Sequence, residues 1–86
     1  MHLKPEFIGA VFLDCVLAGN YNYCNLLLNK EIRQENAESI KEFFPEFELF
    51  IPITHNEFIL INKNALAGIC KFEILNDSIV NITHSQ

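Results

Sequence analysis

Residues 57–83 of the chain read EFILINKNALAGICKFEILNDSIVNIT, and this stretch decides the fold. Read with the period of two of a strand, Phe58 and Leu60 lie opposite Ile59 and Ile61, and one side of the next strand carries Leu66, Cys70, Phe72 and Ile74. Asn62-Lys63-Asn64 and Asn76-Asp77 interrupt the alternation with residues typical of tight turns, and both residues of the second pair tolerate positive φ. The stretch therefore predicts three consecutive antiparallel strands, at 57–62, 65–75 and 79–83.

Residues 47–54 predict another strand before these three, because Leu49, Ile51 and Ile53 alternate with the residues between them. Pro52 has no N–H to donate to a neighbouring strand, which favours an edge strand or a bulge.

Residues 6–18 are apolar on both faces when read with a period of two. Such a run predicts a first strand that is central in the sheet or bends between two layers, with Gly9 at the bend.

Between the first strand and the later ones, the pattern changes to helical spacing. Residues 22–33 predict a short helix with Asn22 as N-cap, although Leu26-Leu27-Leu28 would also fit a strand. Residues 36–44 predict a second short helix capped by Asn36, or an extension of the first, which Pro45 ends. Nine of the chain's seventeen Lys, Arg, Asp and Glu residues lie between Lys30 and Glu48, which is typical of a solvated helix face.

Together these elements predict one α+β domain spanning residues 1–86. It would contain about five strands in a small, strongly bent antiparallel sheet or a barrel, with a short helical insert after the first strand.

The composition indicates association with other chains. Half of the residues are apolar, whereas a domain of this size hides only roughly 60% of its unfolded surface. We therefore expect a homo-oligomer or a protein partner. Aromatic side chains are the candidate contacts, because they offer rigid apolar area: Tyr21, Tyr23, Phe50, Phe58 and Phe72.

Charge and cysteine usage restrict the other functional classes. The net charge is −5 and the six basic residues are scattered, so nucleic-acid binding by a broad basic face is not expected. Three cysteines without a CxxC pair or an export signal indicate reduced thiols in the cytoplasm.

The apolar run at 7–17 is too short to span a membrane, which needs about 20 residues, and it contains Asp14.

The sequence offers little catalytic chemistry. His2, His55 and His84 have no metal-ligand spacing, and the three glycines are isolated, so no metal, cofactor or phosphate loop is predicted. Asp14 could be a buried acid or a residue pointing outward, and Cys15 lacks an identifiable base. We therefore expect a protein that is not an enzyme, with a small enzyme using Asp14 or Cys15 as a remaining alternative.

Two resemblances extend this reading. Residues 58–69 resemble the strand, tight turn and strand that close small SH3-like and Sm-like barrels. The segments Leu28-Asn29, Phe50-Ile51-Pro52-Ile53-Thr54 and Ile61-Asn62-Lys63 resemble, in order, those of a bacterial family of small domains of unknown function. That family's Arg and Ser-Asp before Leu-Asn are missing here, where Tyr23-Cys24-Asn25 stands instead.

The first resemblance implies a barrel that could form rings and bind RNA, with Lys63 in the turn. The second implies no activity. The leading expectation is an uncharacterised bacterial interaction or self-association module, and the alternative is an Sm-like RNA-binding regulator.

Overall fold

The computed structural model describes residues 3–85. Two α-helices come first: α1 (Pro5–Ala18) and α2 (Tyr21–Leu27). Two 3-10 helices follow, at Lys30–Ile32 and Ala37–Phe43. The chain then forms β1 (Leu49–Pro52), β2 (Glu57–Asn62), β3 (Ala65–Leu75) and β4 (Ser78–Ser85).

The four strands form an open antiparallel sheet in the order β1-β2-β3-β4. β1 and β4 are its two edges, so the sheet does not close into a barrel. The predicted strands from β1 to β4 are confirmed, including the position of Pro52 on an edge. β4 extends to Ser85, two residues beyond the end predicted at 83. Gln86 lies outside the described residues.

The prediction of a first strand at residues 6–18 is wrong, because these residues form α1. Pro5 occupies the first helical turn, where its missing N–H costs nothing, and Gly19 ends the helix in the left-handed conformation at φ 74°. The Gly19 N–H donates to Val16 O at 3.1 Å. The helix therefore replaces the fifth expected strand.

The buried stripe of α1 has helical spacing and comprises Ile8, Phe12, Leu13 and Val16. Phe7 and Leu17 remain exposed on the same helix. These additional apolar residues hide the helical period when the run is read as a sequence, which explains the error.

The predicted helix at 22–33 is confirmed only in its first part. The predicted N-cap at Asn22 is wrong, because Asn22 lies inside the helix; Asn20 is the N-cap, and its side chain accepts a hydrogen bond from the Tyr23 N–H at 3.3 Å. Leu28 is extended and forms a parallel bridge with Ile79 of β4, which stops the helix at Leu27. The second predicted helix is confirmed as a 3-10 helix capped by Asn36, whose side chain accepts from the Glu38 N–H at 3.2 Å.

Both β-hairpins after β2 use tight turns with positive φ. Lys63 and Asn64 have φ of 51° and 63°, and Asn76 and Asp77 have φ of 51° and 64°. This pattern is that of type I′ turns, whose twist matches the twist of the flanking strands.

The core lies between the helices and one face of the sheet. Gly9 of α1 packs so closely on this inner face that an added Cβ would lie 2.8 Å from Phe58 and 3.0 Å from Phe72. The ring of Phe12 meets that of Phe72 edge-on at 5.5 Å between centroids. Gly9 is thus a close-packing position in a helix and not the bend of a strand.

Candidate functional site

The opposite face of the sheet carries a cluster of aliphatic side chains in two cross-strand rows. Ile51, Ile59 and Ile69 are paired across β1, β2 and β3 in one row. Leu49, Ile61 and Leu66 form the adjacent row. We call these six residues the outer patch. Side chains in directly paired positions lie about 5 Å apart, so each row forms a continuous apolar surface.

The outer patch is open to solvent in the single chain. Leu49 is 44% exposed, Ile51 46% and Leu66 57%, and the other three residues are partly exposed. All the helices pack on the inner face, where Phe58, Leu60, Cys70 and Phe72 are buried. An exposed, contiguous aliphatic surface of this kind marks an interaction site more often than it marks an ordinary solvent face.

A β-bulge creates part of this patch. The pairing shifts between Leu60 and Ile61, where Leu60 faces Gly68 but Ile61 faces Leu66. The extra residue in β3 is Ala67, so Leu66 points outward although Cys70 and Phe72 point inward. The prediction that Leu66 shares a side with Cys70 and Phe72 is therefore wrong, because the bulge depends on the pairing with the partner strand.

Polar side chains border the outer patch toward β4. Glu57 pairs with Lys71, and Lys71 pairs with Thr83. Glu73 and Asn81 form the next pair, and a shallow cavity of about 480 Å³ lies among these side chains. The outer face therefore has an apolar centre toward β1 and a mixed-charge border toward β4.

Three of the predicted aromatic contacts lie on the inner side of the sheet. Phe58 is 1% exposed and Phe72 is fully buried, and their rings lie 5.8 Å apart. Phe50 is half-buried, and its ring meets Phe58 edge-on at 5.6 Å. Phe58 and Phe72 therefore build the core and have no surface to offer a partner in this conformation.

The two predicted tyrosines, Tyr21 and Tyr23, lie on α2 and are half-buried against the core. Tyr21 borders an open cleft of about 450 Å³ whose other walls include Lys41, Glu46 and Phe47. The structure does not bring either tyrosine to the outer patch, which lies across the sheet.

Lys63 is exposed in the turn between β2 and β3. Its backbone N–H donates to the carboxylate Oε1 of Glu48 at 2.8 Å. An acidic side chain therefore stands at the turn in which an Sm-like RNA site would need positive charge.

Asp14 and Cys15 adjoin each other on α1. Asp14 is exposed, so it is not a buried acid. Burial raises the pKa of the Cys15 thiol, the negative charge of Asp14 raises it further, and a hydrogen bond with Cys24 lowers it. Burial also raises the pKa of Cys24 to about 12, and its Sγ donates to Phe12 O at 3.6 Å. Raised pKa values leave little thiolate at neutral pH, which disfavours nucleophilic chemistry.

Within residues 3–85, no group of three or more His, Cys, Asp and Glu side chains is placed to hold a metal ion. His84 packs edge-on against Phe44 at 5.2 Å and His55 is exposed in the loop after β1, whereas His2 lies outside the described residues. In the same described range, no helix is sufficiently long and apolar to cross a membrane.

Comparison of the chain with protein-family models, with curated proteins and with solved structures found no significant match. The surface chemistry of the fold is therefore the basis for the functional proposal.

Proposed function

We propose that this protein is a non-enzymatic self-association module whose outer patch packs against the same patch of a second copy. The observation that carries the proposal is the exposure of Leu49, Ile51 and Leu66 in two unbroken aliphatic rows on the helix-free face. Burying apolar area of this kind contributes roughly 25 cal/mol per Å².

A second copy can pack on the outer patch although the two chains carry charge of the same sign, because the patch itself is uncharged. Each chain carries a net charge of −5, so two copies repel each other at long range. The six residues of the outer patch carry no charge, and contact there brings the apolar centres together while the glutamates stay at the border. Two sheet faces can pack about 10 Å apart, with a two-fold axis through the patch.

The dimensions of the sheet predict a weak dimer. Four strands about 4.8 Å apart, with a mean length of about seven residues, give a face of roughly 19 by 24 Å. Face-to-face packing would cover roughly 900 Å² over both copies, near the lower limit of about 1,000 Å² for a specific interface. We therefore expect a dissociation constant in the micromolar range.

Sedimentation equilibrium between about 1 and 200 µM tests this proposal. We expect a monomer–dimer equilibrium that Ile51→Lys or Leu66→Lys weakens by at least tenfold, because each substitution places an ammonium in the apolar interface. Leu26→Lys is the matched control, since Leu26 is 63% exposed on α2 and lies away from the outer face. A monomer throughout this range, or a dimer that all three variants preserve, would refute the proposed interface.

The two alternatives have less support. RNA binding would require a basic rim at Lys63, where Glu48 accepts the backbone hydrogen bond instead. Retention of the chain on immobilised single-stranded RNA at low salt would favour that alternative. An enzyme using Cys15 would require a thiolate, which burial and Asp14 both disfavour.

A further inference from the structure

The turn between α1 and α2 brings two cysteines together. Cys15 lies in the last turn of α1, and Cys24 lies at the middle of α2. Backbone hydrogen bonds fix the turn, because the Asn20 N–H donates to Cys15 O at 2.8 Å and the Cys24 N–H donates to Asn20 O at 3.2 Å. Both cysteines are free, and their thiols lie in hydrogen-bonding contact with each other.

The position of the Cys24 sulfur supports this contact independently. Its Sγ donates to the carbonyl oxygen of Phe12, on α1, at 3.6 Å. The Cα–Cβ bond of a helical residue tilts toward the helix N-terminus, so the side chain of Cys15 leans over the preceding turn, which contains Phe12. The Cys24 sulfur therefore lies in the region of α1 that the Cys15 side chain covers.

The third cysteine does not belong to this pair. Burial raises the pKa of the Cys70 thiol, on the inner face of β3, to about 11, and neither of the other two thiols affects it. Burial is also the main cause of the raised pKa of Cys15 and of Cys24, but each of these two thiols changes the pKa of the other as well. The three cysteines therefore divide into one pair and one separate thiol.

The two thiols of the pair differ in their access to solvent. Cys15 is partly exposed, whereas Cys24 is fully buried. A dissolved reagent can therefore reach the sulfur of Cys15 but not that of Cys24. An accessible cysteine beside a second one that can displace the reagent is the arrangement found in reversible oxidation sites.

We propose that Cys15 and Cys24 form a reversible oxidation site, in which a small-molecule disulfide such as oxidised glutathione converts the two thiols to a disulfide bond between α1 and α2. The bond joins the two helices covalently and restricts the unfolded chain, which stabilises the fold. The site lies among the helices and does not involve the outer patch, so this proposal and the proposed self-association are tested separately.

The reaction consists of two thiol–disulfide exchange steps. The Cys15 thiol gives its proton to solvent, and its thiolate attacks one sulfur of oxidised glutathione, whose S–S bond breaks and releases one glutathione thiolate. The Cys24 thiol then loses its proton, and its sulfur attacks the Cys15 sulfur and releases the second glutathione. Two protein thiols are oxidised, and one small disulfide is reduced to two thiols.

Burial and proximity have opposite effects on this reaction. Because burial raises the pKa of both thiols, little thiolate is present at neutral pH and the exchange is slow. The second step is intramolecular, so the contact between the two sulfurs favours it over attack by another molecule. The linked chain should therefore be the main product, although it forms slowly.

The test treats the full, reduced chain with oxidised glutathione at about pH 8.5, where more thiolate is present. After an acid quench, the remaining thiols are alkylated and the products are mapped by mass spectrometry. The main product should lack two hydrogens, with Cys15 linked to Cys24 and Cys70 alkylated, and dithiothreitol should restore all three thiols. The ratio of this product to the mixed disulfide with glutathione should be at least tenfold higher in the folded chain than in concentrated urea.

Single substitutions assign the two roles. Cys24→Ala should accumulate the mixed disulfide at Cys15, and Cys15→Ala should react at least tenfold more slowly than the natural chain. Cys70→Ala is the matched control and should form the bond at a rate within twofold of the natural one. A product ratio that urea leaves unchanged would overturn the proposal, as would a lasting mixed disulfide at Cys15 in the natural chain or a main product linked through Cys70.

Discussion

Replacing Gly9 by alanine tests the packing of α1 on the sheet, on which the separation of inner and outer faces depends. The added Cβ would lie 2.8 Å from Cε1 of Phe58, 3.0 Å from Cδ2 of Phe72 and 3.2 Å from the backbone oxygen of His55. Phe58 is 1% exposed and its ring contacts two other rings, so it has little room to move.

Two opposing effects set the size of the change. Overpacking a well-filled core costs about 1–3 kcal/mol. Alanine is favoured over glycine within a helix by about 1 kcal/mol. We therefore expect Gly9→Ala to lower the free energy of unfolding by about 1 kcal/mol, or the melting temperature by about 4–8 °C for a domain of this size.

Urea unfolding followed by circular dichroism measures this difference. Gly68→Ala is the matched control, because its Cβ would find Pro45 and Ser85 at 3.7 Å, an ordinary contact distance. In a Phe58→Leu background the smaller side chain makes room, and the cost of Gly9→Ala should fall by about 0.5–1 kcal/mol. The contrary outcome is that Gly9→Ala stabilises the natural chain and the Phe58→Leu variant equally. That result would show that only the helix propensity of alanine matters, and it would contradict the close approach of α1 to Phe58.

Three further perturbations test local features by the same unfolding measurement. Asn20→Ala removes the cap that accepts from the Tyr23 N–H and should cost about 1 kcal/mol, whereas a Gly replacement should cost only a few tenths. Lys63 has φ 51°, a left-handed backbone conformation that glycine adopts readily and valine does not. Lys63→Gly should therefore be at least as stable as the natural chain, whereas Lys63→Val should lower the free energy of unfolding by about 1–2 kcal/mol. The opposite order of stability would contradict the turn geometry. Burial raises the pKa of the Cys24 thiol to about 12 in the folded protein, above its unfolded value of 9.0. Below pH 9 the thiol is protonated in both states, and the stability that it contributes is fully present. As the pH rises from 9 toward 12, the unfolded chain loses this proton first and that stability is lost. Stability should therefore fall between pH 9 and 11, less steeply in Cys24→Ala, and an equal slope in both proteins would assign the loss to other groups.

The sequence alone determined the features that depend on neighbours along the chain. The turns at Lys63-Asn64 and Asn76-Asp77 require only residues that tolerate positive φ, and so β3 was predicted at its observed limits, 65–75. The cap at Asn36 and the stop at Pro45 are similarly local, since each acts through adjacent backbone groups.

Only the tertiary structure decided which side of each element is buried. The exposed apolar residues Phe7 and Leu17 hide the helical period of residues 6–18, although Pro5 and Gly19 are local signals for the ends of a helix. Packing on Phe58 and Phe72 decides which side of that helix is buried. Leu66 turns outward because the bulge depends on the pairing of β3 with β2. The helices then cover one sheet face, and this choice buries the phenylalanines while it leaves the aliphatic rows exposed. Such outcomes depend on contacts between residues far apart in the chain, and no local pattern encodes them.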